Sequence, residues 1–231
     1  MKYDLENINA RFGIGSQKWQ EMKNNPLVDE KVIPFSVADM EFKLAPEITE
    51  GLKKFIDDNI LGYAGTNKKY RENVCKWQQK HHDFTVDEKW LVETHSVVNA
   101  FFTAVKAFTQ KGDGVMLFTP VYYPMYKAIE INQRKLVEIP LINNGMTYDI
   151  DWDLFTKKAK AIDTKMLILC SPHNPCGRIW TREELTKISE ICLANDILVV
   201  ADEIHADLIM PGFKHVSYGT ISKEALEHSI I

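Results

Sequence analysis

The run KMLILCSPHNPCGR, residues 165–178, decides the fold. Met166 to Cys170 are apolar without interruption, as in a strand covered on both faces by other elements. The strand stops in SPHNPCGR, where two prolines bracket Asn174 and Gly177 follows. Taken alone, such a segment is an ordinary stiff turn. At the end of a buried strand, it also holds one amide in a fixed place.

The same rhythm extends in both directions. Downstream, Thr181 with Glu184 three residues on forms a capping box that opens a helix, and ILVVADE supplies the next strand. Upstream run WLVET, SVVNAFFTAVKAFTQ, GVMLFTP, YYPMYKAIEINQ, KLVEIP and a helical stretch near 151–161, with short apolar runs and helical segments taking turns. That alternation predicts an α/β domain around a mostly parallel sheet. Further upstream, Pro46 starts a helix carrying Ile48, Leu52, Phe55 and Ile56 at helical spacing, and a second helix covers about 67–82, with LGYAGT between them. Its final His81 and His82, beside Asp83, read as solvated helix-end cations. The irregular residues 1–45 read as an N-terminal arm or small-domain segment, and 46–231 as the large domain. The last residues, EALEHSII, read as the approach to one more strand, so the large domain is expected to be incomplete at its C-terminal end.

Composition narrows the possibilities. The chain has 231 residues, 45% of them hydrophobic, enough for a substantial core. Lys and Arg number 28 against 32 for Asp and Glu, with no basic block, which argues against nucleic acid as a partner. No run approaches the roughly 18 apolar residues of a membrane helix. The start, MKYDLENINARFG, lacks the apolar core of a signal peptide, so no membrane and a cytoplasmic address are expected. Cys75, Cys170, Cys176 and Cys192 include no C-x-x-C pair and read as structural thiols, with no metal site. FGIGSQK contains G-x-G, but Lys18 stands where a dinucleotide motif needs its third glycine, and no strand precedes it.

In an open α/β sheet, ligands gather outside the carboxyl ends of the strands, where helix N-termini converge. Each strand here is followed by chemistry. After WLVET comes Ser96 with the amides of Val97 and Val98, a cradle for a phosphate. VYYP offers the Tyr122 ring, SPHNPCGR offers Asn174, and the next strand ends in Asp202, Glu203 and His205. Phosphate cradle, aromatic face, amide and buried carboxylate together suit pyridoxal 5'-phosphate. A carboxylate against its pyridine nitrogen keeps the ring protonated and able to accept electrons.

GYAGT, TPVYYPMY, SPHNPCGR and ADEIH, in that order along the chain, resemble the aminotransferase class I/II superfamily of fold-type I pyridoxal-phosphate enzymes. PFSVADMEF and SPHNPCGRIWTREEL are similar to its cystathionine β-lyase branch, the cysteine-S-conjugate β-lyases. The resemblance covers essentially the whole chain and implies a three-layer α/β/α large domain. It also implies that Asn174 bonds the cofactor's phenolate oxygen, Asp202 pairs with the pyridine nitrogen and Tyr122 stacks on the ring. The amides around Ser96, Val97 and Val98 would hold the phosphate, and His205 would lie beside the cofactor. Tyr63 would reach the phosphate of a neighbouring subunit in a homodimer with a shared active site, and Asp39 would border the amino-acid substrate.

Two features sharpen the reading. His205 stands where many aminotransferases of the superfamily carry Tyr, and D-E-I-H favours the lyase branch. The family's Schiff-base lysine and C-terminal domain follow a strand such as the one begun by HSII, so both are expected beyond Ile231, and none of the lysines here is assigned that role. Three functions remain open: a carbon-sulfur β-lyase acting on cystathionine or related cysteine S-conjugates, an amino-acid aminotransferase, and a non-catalytic binding or regulatory module retaining the fold.

Overall fold

Apolar runs too short for helices become the strands of one parallel sheet in the computed structural model, which describes residues 3–28 and 32–231. The chain divides into two compact units, Met1–Gly65 and Thr66–Ile231. This boundary falls after the GYAG turn, not at residue 45 as expected, so the helix begun by Pro46 belongs with the N-terminal segment.

The smaller unit contains α1 (Gln17–Lys23) and α2 (Pro46–Asp58). An ion network around Glu41 holds its first part together. The Glu41 carboxylate takes the Lys18 ammonium at 2.8 Å, the Trp19 indole N–H at 2.8 Å and the Arg11 guanidinium at 2.7 Å. Hydrogen bonds from Lys18 and Trp19 hold its acid far below the usual carboxylate range, at about 2. Phe12 sits edge-on to Trp19, with ring centroids 4.7 Å apart. The amphipathic α2 has Pro at its first turn as expected, yet buries none of its residues. Ile48, Leu52, Phe55 and Ile56 are all exposed.

The larger unit begins with α3 (Lys68–His82), capped by the Asn67 side chain, and continues through α4 (Val97–Phe108), β1 (Gly114–Thr119), α5 (Tyr123–Ile131) and β2 (Lys135–Pro140). A small hairpin, β3 (Ile142–Asn143) and β4 (Tyr148–Asp149), leads to α6 (Trp152–Ala159) and β5 (Thr164–Cys170). α7 (Arg182–Ala194), β6 (Leu198–Asp202), α8 (Lys223–Glu227) and β7 (Ser229–Ile230) complete it. The strand order is β2-β1-β5-β6-β7, with every neighbour parallel.

Period-two alternation sorts the side chains onto two faces. Val115, Leu117, Met166, Ile168 and Val200 meet α4 and α5 on one face. Met116, Phe118, Leu167, Leu169, Val199 and Ala201 meet α6, α7 and α8 on the other. The result is the expected three-layer sandwich. Thr181 and Glu184 form the capping box of α7, and HSII supplies β7.

Two expectations are corrected. WLVET is not a strand: Glu88–Trp90 form a 3-10 turn, Leu91 is extended, and residues 91–94 join no sheet. Arg71 occupies the carbonyl oxygens of Glu88 and Leu91 and pairs with Glu93 at 2.6 Å, so side-chain bonds replace a ladder there. His82 is not a solvated cation but is buried, its Nε2 2.7 Å from Asp207 Oδ1. The Trp77 indole N–H donates to the same carboxylate at 3.0 Å, and Lys214 pairs with Asp83 at 2.7 Å. These bonds tie the segment after β6 to the end of α3.

Candidate active site

The strand order reverses direction at β1. From β1 the chain passes through α5 to β2 on one side and later returns to β5 on the other. At such a switch point the loops leaving adjacent strands diverge and leave a crevice at their carboxyl ends. The pairing shows the divergence: β1 and β5 last meet at Leu117 and Ile168. Beyond that, β1 follows β2 as far as Thr119, and β5 follows β6 as far as Cys170.

Asp202 is the last residue of β6, in register with Cys170 of β5, and its backbone carbonyl accepts from the Ser171 N–H at 2.9 Å. By alternation its side chain lies on the face of Val200, toward α4 and α5. The carboxyl group is buried and accepts the Ile204 N–H at 3.2 Å. Burial raises its pKa above the ordinary value, opposed by the Ile204 bond and the nearby His205. His205 lies half-buried in a turn, not in a helix.

Tyr122 follows β1 at the N-terminal boundary of α5 and packs, half-buried, on the same core face as Val97 and Val98. Burial pushes its phenol up, with Tyr123 and Asp202 adding to the effect. The Tyr122 and Tyr123 ring centroids are 5.4 Å apart. Ser96 caps α4, its Oγ accepting the Asn99 N–H at 3.1 Å. The first-turn amides of Val97 and Val98 have no partners within the helix.

Asn174 sits half-buried in the turn after β5, and its N–H donates to Cys170 Sγ at 3.4 Å. Burial pushes that thiol up to about 12. Topology therefore brings Ser96, Val97, Val98, Tyr122, Asn174, Asp202 and His205 to the carboxyl end of one sheet. Tyr63 and Asp39 belong to the smaller unit. Tyr63 is fully exposed, and Asp39 pairs with Arg11 at 2.7 Å while its carbonyl accepts from Lys18.

Sequence reasoning passed over His173, which is buried beside Asn174 with Nε2 2.8 Å from the Pro120 carbonyl oxygen. Its only local sign was an imidazole inside a Pro-bracketed turn. Two clefts lie elsewhere. One of about 230 Å³ is bordered by His82, Asp207 and His215, and another of about 290 Å³ by Asp113, Lys165 and His228. On the border of the first, Asp207 already pairs with His82, and neither cleft is lined by any of the residues named above for the strand ends. Among the described residues no cluster of His, Cys, Asp and Glu is arranged to hold a metal ion, and no helix is long and apolar enough to cross a membrane.

Comparison with known proteins agrees with this geometry. The sequence model for aminotransferase class I and II matches residues 30–228. The cystathionine β-lyase PatB of Bacillus subtilis is 38% identical over 220 residues, which are 95% of this chain and 57% of that protein. The crystal structure of cystalysin from Treponema denticola, which contains pyridoxal 5'-phosphate, superimposes with a TM-score of 0.96 at 43% identity, covering 99% of this chain and 58% of that one. A pyridoxal-phosphate-bound C-S lyase from Staphylococcus hominis gives a TM-score of 0.88 at 29% identity, covering 98% of this chain and 56% of its own. The chain thus spans somewhat more than half the length of these relatives. On the extent of the family match and of the identity to these relatives, the chain belongs to the aminotransferase class I and II family and has its fold-type I α/β architecture.

Proposed function

We propose that the protein carrying this chain is a pyridoxal-phosphate-dependent carbon-sulfur β-lyase that cleaves cystathionine or a related cysteine S-conjugate to a thiol, pyruvate and ammonia. The observation that carries the reading is Asp202, a carboxylate buried at a strand end beside the switch-point crevice, with one backbone N–H as its hydrogen-bond donor. That donor set suits a protonated ring nitrogen, which would supply the missing positive partner. When bound, pyridoxal phosphate supplies an electron sink for the substrate's α-carbanion.

The residues at the strand ends fit the rest of such a ligand. Val97 and Val98 would offer free first-turn amides to its phosphate, with Ser96 fixing the helix end. Tyr122 would give one face of the ring a stacking partner, Asn174 would donate to its phenolate oxygen, and His205 would flank Asp202. The larger unit, Thr66–Ile231, would be the cofactor-binding body.

A homodimer with shared sites is part of the proposal. The bare apolar face of α2 and the fully exposed Tyr63 support it, because an apolar helix face of that length suits a protein partner. Tyr63 would reach the neighbour's phosphate and Asp39 would border the substrate. A cytoplasmic address accords with a small amino-acid substrate.

The intact protein, incubated with cystathionine, should release pyruvate and homocysteine in equal amounts over many turnovers. Keto acid formed only in proportion to enzyme, with the cofactor left aminated, would mark an aminotransferase. Absence of any product beside tight cofactor binding would mark a regulatory protein.

A further inference from the structure

We propose that His173 is a positioning residue, tying the turn after β5 to the turn after β1 and so fixing the Asn174 amide relative to the Tyr122 ring. The need for a tether follows from the sheet. β1 and β5 stop pairing at Leu117 and Ile168, so the loops that carry Tyr122 and Asn174 leave along different neighbours. Backbone ladder bonds do not hold the two loops together across the crevice. The His173 ring does, with Nε2 2.8 Å from the carbonyl oxygen of Pro120, two residues before Tyr122.

The side chain is built for one tautomer. A carbonyl oxygen only accepts, so Nε2 carries the proton. The ring is 1% exposed, and burial holds its pKa below the ordinary value, which favours the neutral form. Nδ1 is buried and makes no hydrogen bond of normal geometry, which leaves it as the unprotonated nitrogen of the ring. The surrounding contacts leave little play. The His173 N–H donates to the Arg178 carbonyl at 2.7 Å, and its own carbonyl accepts from Gly177 at 2.8 Å. Its ring meets Trp180 edge-on at 5.4 Å, and the Trp180 indole N–H donates to the Cys170 carbonyl at 2.9 Å. Asn174 is the next residue, so any slack in the imidazole bond passes directly to its amide.

The inference rests on reading the crevice as a pyridoxal-phosphate site, and its test separates the two. In the intact protein, cofactor affinity is titrated by absorbance and bound-cofactor circular dichroism for the wild type, His173→Ala and His173→Gln. The glutamine amide nitrogen can take the place of Nε2 without adding a second ring nitrogen. Alanine should weaken binding about tenfold and alter the dichroism, and glutamine should return affinity to within about threefold of wild type. Histidine nitrogen NMR of the wild-type protein at slightly alkaline pH should show His173 neutral with the proton on Nε2. Unchanged binding in His173→Ala, glutamine no better than alanine, or a proton on Nδ1 each overturns the inference. Should alanine prevent folding, His173→Asn, polar but too short for the Pro120 contact, replaces it. Wild-type protein that binds no pyridoxal phosphate overturns the functional reading and this inference with it. Normal wild-type binding beside an unaffected alanine variant overturns this inference alone.

Discussion

Burial of Asp202 disfavours its ionised form, and nothing described around it beyond the Ile204 N–H and His205 offsets that. The linkage has a definite sign. With a folded pKa above the unfolded one, the contribution of Asp202 to stability is fully present below the ordinary carboxylate value near 3.8 and is lost as pH rises through the raised value. Asp202→Asn, neutral at every pH, should therefore raise the melting temperature of the cofactor-free protein at neutral pH and leave it little changed near pH 3. If the proposed function holds, the same change in the intact, cofactor-loaded protein should lower turnover on the order of a thousandfold, because an amide would not hold the ring nitrogen's proton. A variant that is no more stable without cofactor, or that turns over normally, contradicts the role. The strand-end placement of Asp202, Tyr122 and Asn174 was legible because each follows an apolar run, Asp202 at once and the other two within four residues. His173 was not legible as a tether, because its partner Pro120 lies 53 residues away and becomes a neighbour only once β1 and β5 are adjacent.

Elements obey the same division between local and distant causes. The α7 capping box was readable because donor and acceptor lie three residues apart, and the start of α2 because proline suits a first helical turn. WLVET has the apolar content of a strand, but a strand exists only beside another, and Arg71 from α3 takes up the Leu91 carbonyl oxygen and pairs with Glu93 instead. Two glycines show how context sets the sign of one substitution. Gly51 lies in exposed α2 with open space around a would-be Cβ, so Gly51→Ala should stabilise by about 0.5–1 kcal/mol through helix propensity. Gly219 lies in the 3-10 turn Tyr218–Thr220, where a Cβ would stand 2.5 Å from the Phe84 ring and 2.7 Å from Ile231 Cδ1. Gly219→Ala should destabilise by about 1–3 kcal/mol, through overpacking at the edge where β7 joins the sheet. Denaturant unfolding of both variants checks the pair, and equal effects would mean that the close approach at Gly219 is relieved at no cost.

At the scale of the whole molecule, the contrast between the units is the informative feature. The larger unit has two apolar cores, one on each face of its sheet. The smaller is knit by the Glu41 network and leaves Leu27, Phe35, Ile60 and Tyr63 almost wholly exposed, together with the apolar face of α2. Amphipathic spacing in 46–58 was visible in the sequence, but what covers that face was not, since a helix moment fixes a direction and not a partner. If two chains share each site, Tyr63 and Asp202 serve the same cofactor from different subunits, and complementation tests this directly. Intact Tyr63→Ala and Asp202→Asn proteins should each be weak alone. In a mixed dimer, one site would combine the unaltered Asp202 of the first chain with the unaltered Tyr63 of the second, while the other site would carry both changes. Random reassortment of an equal mixture makes half the dimers mixed, with one restored site in each, so lyase activity should recover to about a quarter of wild type. If both residues act within one chain, every site in the mixture carries one lesion, and activity stays at the mean of the two variants however long the subunits exchange.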